Sequence, residues 1–555
     1  MKQVNRLTSG GRINREKPIQ FTFNEETYSG YEGDTVASAL LANGVDIIGR
    51  SFKYARPRGI VTADAQEPNA ILQIGATQAT TIPNPKATQA ALYNNMVCHS
   101  TNGWPNVDND LMEWVGKVGG AAMPPGFYYK TFMFPQSMWM SYEKVIRKGA
   151  GLGASPTEND PDIYDKLHHH CDVMVVGAGP AGLCAALTAA RGGCRVILAE
   201  EQEEMGGSLL SSRQMINGKT ADTWVNQVLE ELMTCPTVTL LPRSTVFGYF
   251  DHNYLSIAER KTDHMGETGQ GRVRERLHKV RANQVILATG AHERPLVFGN
   301  NDVPGCMLAS AVSTYINRYA VVPGETLALM TTNDNAYKAA IDWVKAGKKV
   351  ALIADTRAES SGDLVNEAIA LGIEVKFRQA IINVKGSKRV KAAEVASIAA
   401  DGTKVEGLPY VVSCDTVASS GGWSPVLHLS SHTGAKPQWR DDIQGFVPGK
   451  SKPNQHICGG INGVYALEEV VSDASAVALN AVCTMKKSIE GVRIPDTDIT
   501  PVNESPAMAF FHVPHTKPTS RAPKQFVDYQ NDVTAAGIEL ANREGFESIE
   551  HVKRY

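Results

Sequence analysis

Paired cysteines, long apolar stretches and an excess of either charge are all missing from this 555-residue sequence. Its nine cysteines are scattered and no Cys-x-x-Cys occurs, so neither a disulfide framework nor a redox dithiol is expected. Apolar runs such as Val173-Met174-Val175-Val176 and Val285-Ile286-Leu287-Ala288 are far shorter than the roughly 20 residues that span a bilayer. They read as buried parallel strands, and no membrane role is expected. The start, Met1-Lys2-Gln3-Val4-Asn5-Arg6, is polar and lacks the apolar core of a signal peptide. A reduced, cytoplasmic compartment follows as the expectation. A formal net charge of −3 gives no electrostatic case for nucleic acid or an anionic membrane surface.

A chain of this length should hold roughly two to four domains. Residues 1–98 begin with the alternating strand Ile19-Gln20-Phe21-Thr22-Phe23-Asn24, followed by a helix over Thr35–Ala42 that Gly44 ends. Strand, turn, strand and helix are the order of a ferredoxin-like β-grasp module. A plant-type [2Fe–2S] centre needs four cysteines, and the first here is Cys98, so no iron–sulfur cluster is expected. Residues 99–170 form an aromatic-rich connector, with Gly126-Phe127-Tyr128-Tyr129-Lys130-Thr131-Phe132-Met133-Phe134-Pro135 and Trp139. It reads as a clasp across domains or a subunit contact. His168-His169-His170 cannot all face one ion from a strand; a solvated linker is expected, and no metal.

From Cys171 the pattern becomes α/β. A strand over 172–176, a glycine loop, a helix over 180–191 and a strand over 195–199 make one βαβ unit. A second has Thr326-Leu327-Ala328-Leu329-Met330, a helix over 335–346 and Lys349-Val350-Ala351-Leu352-Ile353. The expected class is therefore α/β, with two dinucleotide-binding, flavoprotein-like Rossmann-type domains behind the β-grasp module. Residues 171–320 and 425–490 form the first FAD/NAD(P)-binding-type domain, and 321–424 the second, degenerate one.

The loop Gly177-Ala178-Gly179-Pro180-Ala181-Gly182 carries the chemistry. Gly177 permits the turn, Gly179 lets backbone approach a pyrophosphate, and Gly182 lets helix and strand pack closely. The helix N-terminus then favours the phosphates. Glu200, at the end of the next strand, is placed to accept hydrogen bonds from ribose hydroxyls and to repel the 2′-phosphate of NADP. FAD and NAD both use such a loop; the absent dithiol and degenerate second site remove the usual reason for FAD. Gly206-Gly207-Ser208, Ala288-Thr289-Gly290 and His456-Ile457-Cys458-Gly459-Gly460 follow in the order of a flavoprotein fold. In the second unit Thr331-Thr332-Asn333-Asp334-Asn335-Ala336 replaces the glycines, and Asp334 would repel a pyrophosphate. No catalytic set is identified. His292-Glu293-Arg294 reads as structural and Cys458 as a small buried residue. Lys53-Tyr54-Ala55-Arg56-Pro57-Arg58 could clamp phosphate or face a subunit.

Several long strings resemble the alpha chain of heterotetrameric sarcosine oxidase. They are Gly49-Arg50-Ser51-Phe52-Lys53-Tyr54 with Arg56-Pro57-Arg58-Gly59-Ile60, Glu67-Pro68-Asn69-Ala70, and Pro125-Gly126-Phe127-Tyr128-Tyr129-Lys130-Thr131-Phe132. Phe526-Val527-Asp528-Tyr529-Gln530-Asn531-Asp532-Val533-Thr534 and the closing Glu550-His551-Val552-Lys553-Arg554-Tyr555 complete the set. The resemblance covers essentially the whole chain. It implies oxidation of sarcosine by oxygen to glycine and hydrogen peroxide, with the one-carbon unit leaving as formaldehyde or passing to tetrahydrofolate. It further implies NAD on this chain, FMN at the interface with a beta subunit, FAD on beta, and gamma and delta partners. The isolated chain would then not be catalytic. NAD contacts would fall on Ala181, Glu200, Glu201, Gln202, Ser208 and Val246, and on Gly460, Tyr465 and Leu467 of the late turn. Gln202 stands where a base sometimes stands, and Tyr465 and Leu467 replace other residue types. Residues 491–555 read as a linker toward a folate-binding domain, and Tyr555 falls about where that domain would start. The chain is accordingly expected to be a fragment or a split product that does not itself bind folate. The alternative is an independent FAD/NAD(P)H-dependent oxidoreductase or an opine or amine dehydrogenase subunit.

Overall fold

A computed structural model of the chain describes residues 3–113, 134–450, 452–485, 487 and 489–555. The string at 125–132 and the aromatic run at 126–133 lie outside the described residues. Two compact units alternate along the chain. Unit 1 comprises Met1–Pro161, Pro295–Gly421 and Glu504–Tyr555, and unit 2 comprises Asp162–Arg294 and Gly422–Asn503.

Unit 1 opens with the β-grasp module. Its sheet runs Glu26–Glu32, Asn14–Phe23, Met96–Ser100, Ile71–Ile74, Ile82–Lys86 in spatial order. Phe21 and Phe23 alternate inward along their strand, as a half-buried strand requires. The helix Val36–Ala42 is entered through a reciprocal cap: the Thr35 hydroxyl accepts from the Ser38 N–H, and Ser38 answers at the Thr35 N–H. Further along, a five-stranded parallel sheet runs Cys306–Leu308, Thr416–Ser420, Thr326–Thr331, Lys349–Asp355, Val375–Phe377. The helix Tyr337–Lys345 joins its third and fourth strands.

Unit 2 is built on a parallel sheet with Val238–Leu241, Val196–Ala199, Ile163–Val176, Val273–Leu287 and Gln455–Ile457 as neighbours. Tyr254–Arg260 and Ser244–Phe250 extend it in antiparallel fashion. The helices Pro180–Arg191, Ala221–Thr234 and Leu467–Thr484 contribute to one apolar core with these strands. Every residue from Ala181 to Ala190 is buried, and small side chains dominate that run, so the helix approaches its sheet closely. The expected α/β class, with Rossmann-type layers behind a β-grasp module, is the fold the chain adopts.

The reading of His168-His169-His170 as a solvated linker is corrected. These residues belong to the strand Ile163–Val176, which starts well before the apolar stretch. His168 and His170 face solvent. His169 turns the other way and its Nε2 lies 2.9 Å from His278 Nδ1, while His278 Nε2 reaches Glu259 Oε2 at 2.8 Å. The partners come from Val273–Leu287 and Tyr254–Arg260, strands too distant in sequence for the triplet to announce.

Candidate functional site: the glycine turn of unit 2

The loop joins Ile163–Val176 to Pro180–Arg191, and its three glycines meet different surroundings. Gly177 has φ +92°, and a Cβ there would lie 2.5 Å from the Ala288 carbonyl oxygen. At Gly182 a Cβ would lie 1.8 Å from the Gly177 carbonyl oxygen, an impossible contact. Those two glycines are demanded by the fold. Gly179 is extended, with φ −71° and ψ −173°, and caps the helix; an added Cβ would meet nothing within 4 Å. The helix N-terminus, with its unsatisfied N–H groups and positive end of the dipole, is therefore left approachable at Gly179. Gly207 stands beside it, close enough that a Cβ there would be 2.7 Å from Gly179 Cα.

Glu200 ends the strand Val196–Ala199 and is largely buried. Its Oε2 accepts from the Ala178 N–H at 2.7 Å and its Oε1 from the Gln202 N–H at 3.0 Å. Its backbone is tied to the next strand end: the Glu200 N–H donates to Leu241 O, and the Ser244 N–H to Glu200 O. Arg243 donates its N–H to Gln202 O, and the Arg260 guanidinium donates to Glu201 O at 2.7 Å. Three strand ends thus converge with one carboxylate bonded to the glycine turn.

Gly460 abuts the Gly290 backbone, where a Cβ would be 3.2 Å from Gly290 Cα. Leu467 begins the helix Leu467–Thr484 and shares a core with Ala181. Ser208 is exposed in the short 3-10 turn Gly207–Ser211, and Val246 is half-buried in Ser244–Phe250. Tyr465 lies instead against Trp423, with ring centroids 6.3 Å apart. Burial pushes its phenol up to about 12, against the opposing pull of Arg294 and Arg440.

Other candidates are held structurally. Glu293 is buried in the strand pair Ala291–Glu293 with Trp423–Pro425, and Arg294 donates to the Gln444 carbonyl at 2.7 Å. Burial, reinforced by Asp473, drives the Cys458 thiol well above its ordinary range, so it stays protonated and unreactive at neutral pH.

The corresponding turn in unit 1 is filled by the chain's own charges. Asp334 is 1% exposed; its Oδ1 accepts from Arg357 Nη2 at 2.6 Å and from Ser360 Oγ at 2.8 Å. The Ser505 N–H donates to its Oδ2 at 2.7 Å. Arg357 also binds Asp355 at 2.7 Å, and the Tyr337 hydroxyl donates to Asp355 Oδ2 at 2.8 Å. Sequence reasoning missed Arg357. The only trace it leaves there is a lone cation two residues after the acidic strand end.

A parallel sheet, an open glycine turn and a strand-end carboxylate define a Rossmann-type fold of the flavoprotein kind. The chain belongs to the pyridine nucleotide-disulphide oxidoreductase family, whose model matches residues 171–482, more than half its length. The particular likeness is to the alpha chain of sarcosine oxidase. Residues 522–555 match a sarcosine oxidase A3 domain. The chain is 41% identical over 560 residues to the sarcosine oxidase alpha chain of Rhizobium meliloti (strain 1021), covering 99% of this chain and 54% of the relative. With that of Corynebacterium sp. (strain U-96) it shares 35% identity over 558 residues, covering 99% and 52%. It thus spans about half the length of the curated relatives it matches. Among solved structures, L-proline dehydrogenase from P. horikoshii shares the fold at TM-score 0.63 and 16% identity, over all of this chain and 89% of that one.

Residues 16–103 match a 2Fe-2S iron-sulfur cluster binding domain, and this corrects the expectation of no iron–sulfur cluster. That expectation came from counting thiols inside the module, whereas the family match rests on the domain as a whole. The residues present do not fit a four-thiolate centre: Cys98 is the module's one cysteine, fully buried, with its thiol pushed up to about 12 by burial.

Proposed function

We propose that this chain is the NAD-binding alpha chain of a sarcosine oxidase complex. The complex would oxidise sarcosine with oxygen and water to glycine and hydrogen peroxide, releasing formaldehyde or passing the one-carbon unit to tetrahydrofolate. In this reading FAD sits on a beta subunit, FMN at the alpha–beta interface, and gamma and delta subunits complete a cytoplasmic assembly. The chain itself binds NAD and leaves amine oxidation to its partners.

One observation carries the reading. Gly179 leaves an open approach to a helix N-terminus beside the buried Glu200 carboxylate, whereas the unit 1 turn is occupied by Asp334 and Arg357. Gly177, Gly179 and Gly182 would receive the pyrophosphate, with Ala181 and Ser208 flanking it. Glu200, Glu201 and Gln202 would face the adenosine ribose, with Val246 beside the adenine. Gly460, Tyr465 and Leu467 would line the far end. Likeness to sarcosine oxidase alpha chains over 99% of the chain supports the choice of complex. A component of the opine oxidase of Rhizobium meliloti, 25% identical over 58% of this chain, is a more distant likeness.

The test is to purify the chain, denature it and identify the released nucleotide by mass spectrometry and absorbance. NAD without flavin is the expected result. Stoichiometric FAD that NADH bleaches would overturn the proposal and make the chain an independent reductase.

A further inference from the structure

Where Ile163–Val176, Val273–Leu287, Tyr254–Arg260 and Ser244–Phe250 lie side by side in unit 2, the sheet has two unlike faces. Side chains alternate between the faces, and the register fixes which belong together. On one face the bases are matched by acids: Arg276 Nε donates to Asp165 at 2.7 Å, and His278 reaches Glu259 at 2.8 Å. On the other, Lys279 stands beside His168, Arg281 beside His170, and Lys166 one row further along. Among the described residues, none of these five forms an ion pair or a hydrogen bond. Lys166, His168, His170 and Arg281 are exposed, and Lys279 is half-buried. The carboxylates at the two ends of the stripe are already matched. Asp172 is held by Arg195 at 3.0 Å and Lys487 at 3.1 Å, and Glu275 lies opposite Arg260. The stripe ends sideways in two rings: the Arg281 guanidinium lies 5.1 Å from the Tyr254 ring centroid, which is 5.7 Å from that of the exposed Phe250.

Basic side chains set opposite one another on neighbouring strands disfavour the pairing. This face therefore carries a cost that the matched face avoids, and carboxylates laid over it would offset that cost. Strands lie about 4.8 Å apart and residues of one face about 6.6 Å apart along a strand, so the five bases fill a stripe roughly 5 Å wide and 13 Å long. That is the reach of an extended segment of about four or five residues. A long polyanion would also meet the rest of the molecule, whose formal net charge is −3. A short acidic segment engages the stripe within a Debye length of about 8 Å, where the local charge decides. The neighbouring rings offer apolar surface to a folded protein carrying such a segment.

We propose that the face bearing Lys166, Lys279 and Arg281, with His168 and His170, docks an acidic surface segment of a protein partner. The proposal stands whether or not the glycine turn holds NAD. Fluorescence anisotropy of the full chain with labelled deca-glutamate at low salt tests it, with an oligothymidylate of equal charge as the competing probe. Saturable peptide binding is expected, weakening as salt rises. It should fall at least about tenfold in Lys166→Gln/Lys279→Gln/Arg281→Gln, which removes three charged contacts. That variant relieves repulsion between exposed side chains and should melt no lower than the parent, as circular dichroism checks. Lys219→Gln/Lys391→Gln/Lys436→Gln removes three exposed lysines elsewhere and should bind as the parent does. Equal binding by the parent and the first variant overturns the proposal, as does an equal loss in the second. No saturable peptide binding below ~1 mM would also overturn it. Tighter binding of the oligothymidylate than of the peptide would overturn it in favour of a nucleic-acid surface.

Discussion

Gly179 and Gly182 belong to one turn, yet a methyl group added at each meets opposite surroundings. Gly182→Ala drives a Cβ into the Gly177 carbonyl and should prevent unit 2 from folding. Gly179→Ala places its Cβ in open space, so the protein should fold with an unchanged melting temperature. It should lose roughly tenfold or more in dinucleotide affinity, because backbone approach to the pyrophosphate is blocked; calorimetry with NAD reads this directly. Asp172 provides a contrasting, purely structural test. Burial raises its pKa, but hydrogen bonds from Arg195 and the Lys487 ammonium at 3.1 Å outweigh that and hold the carboxyl well below its ordinary value. A depressed carboxylate contributes stability that is complete above the unfolded value, near pH 4, and lost as pH falls through the folded one. Asp172→Asn should therefore lower the melting temperature at neutral pH and flatten its decline below about pH 4.

Among the elements, the turn 331–336 shows what a degenerate loop costs to maintain. Arg357→Met would leave Asp334 and Asp355 buried without their shared cation. Breaking such a network by removing one partner destabilises by about 3–5 kcal/mol, so urea unfolding should show a lower midpoint and an unfolding free energy reduced by that amount. The helix Pro180–Arg191 was legible because a glycine loop, small residues and a following glycine mark both its ends and its close packing. The unit 1 loop was legible as lacking glycines, but its filling by Arg357 depends on Ser505, Asp355 and Tyr337 meeting in space. The first strand of unit 2 was read from its apolar residues alone. Its polar half, Ile163 to His170, is strand because it pairs with Val273–Arg281. Pairing at that separation leaves no local pattern.

At the scale of the molecule, the sequence order of the motifs conveyed a Rossmann-type chain behind a β-grasp module. Local patterns did not convey that the β-grasp module, the second parallel sheet and the tail form one compact unit. The contact between Arg58 and Asp532 illustrates the reason: the two residues are 474 positions apart, and nothing in either stretch points to the other. The same separation has a meaning in time. At about 5–20 residues per second, a ribosome needs roughly half a minute to a minute and a half to make Asp532 after Arg58. Throughout that interval the nascent N-terminal module carries a guanidinium destined for the interior but still missing one of its anions. The segment around Asp532 thus acts as a late stitch for a module made long before it, and that module must wait, hydrated or chaperoned, until the segment arrives.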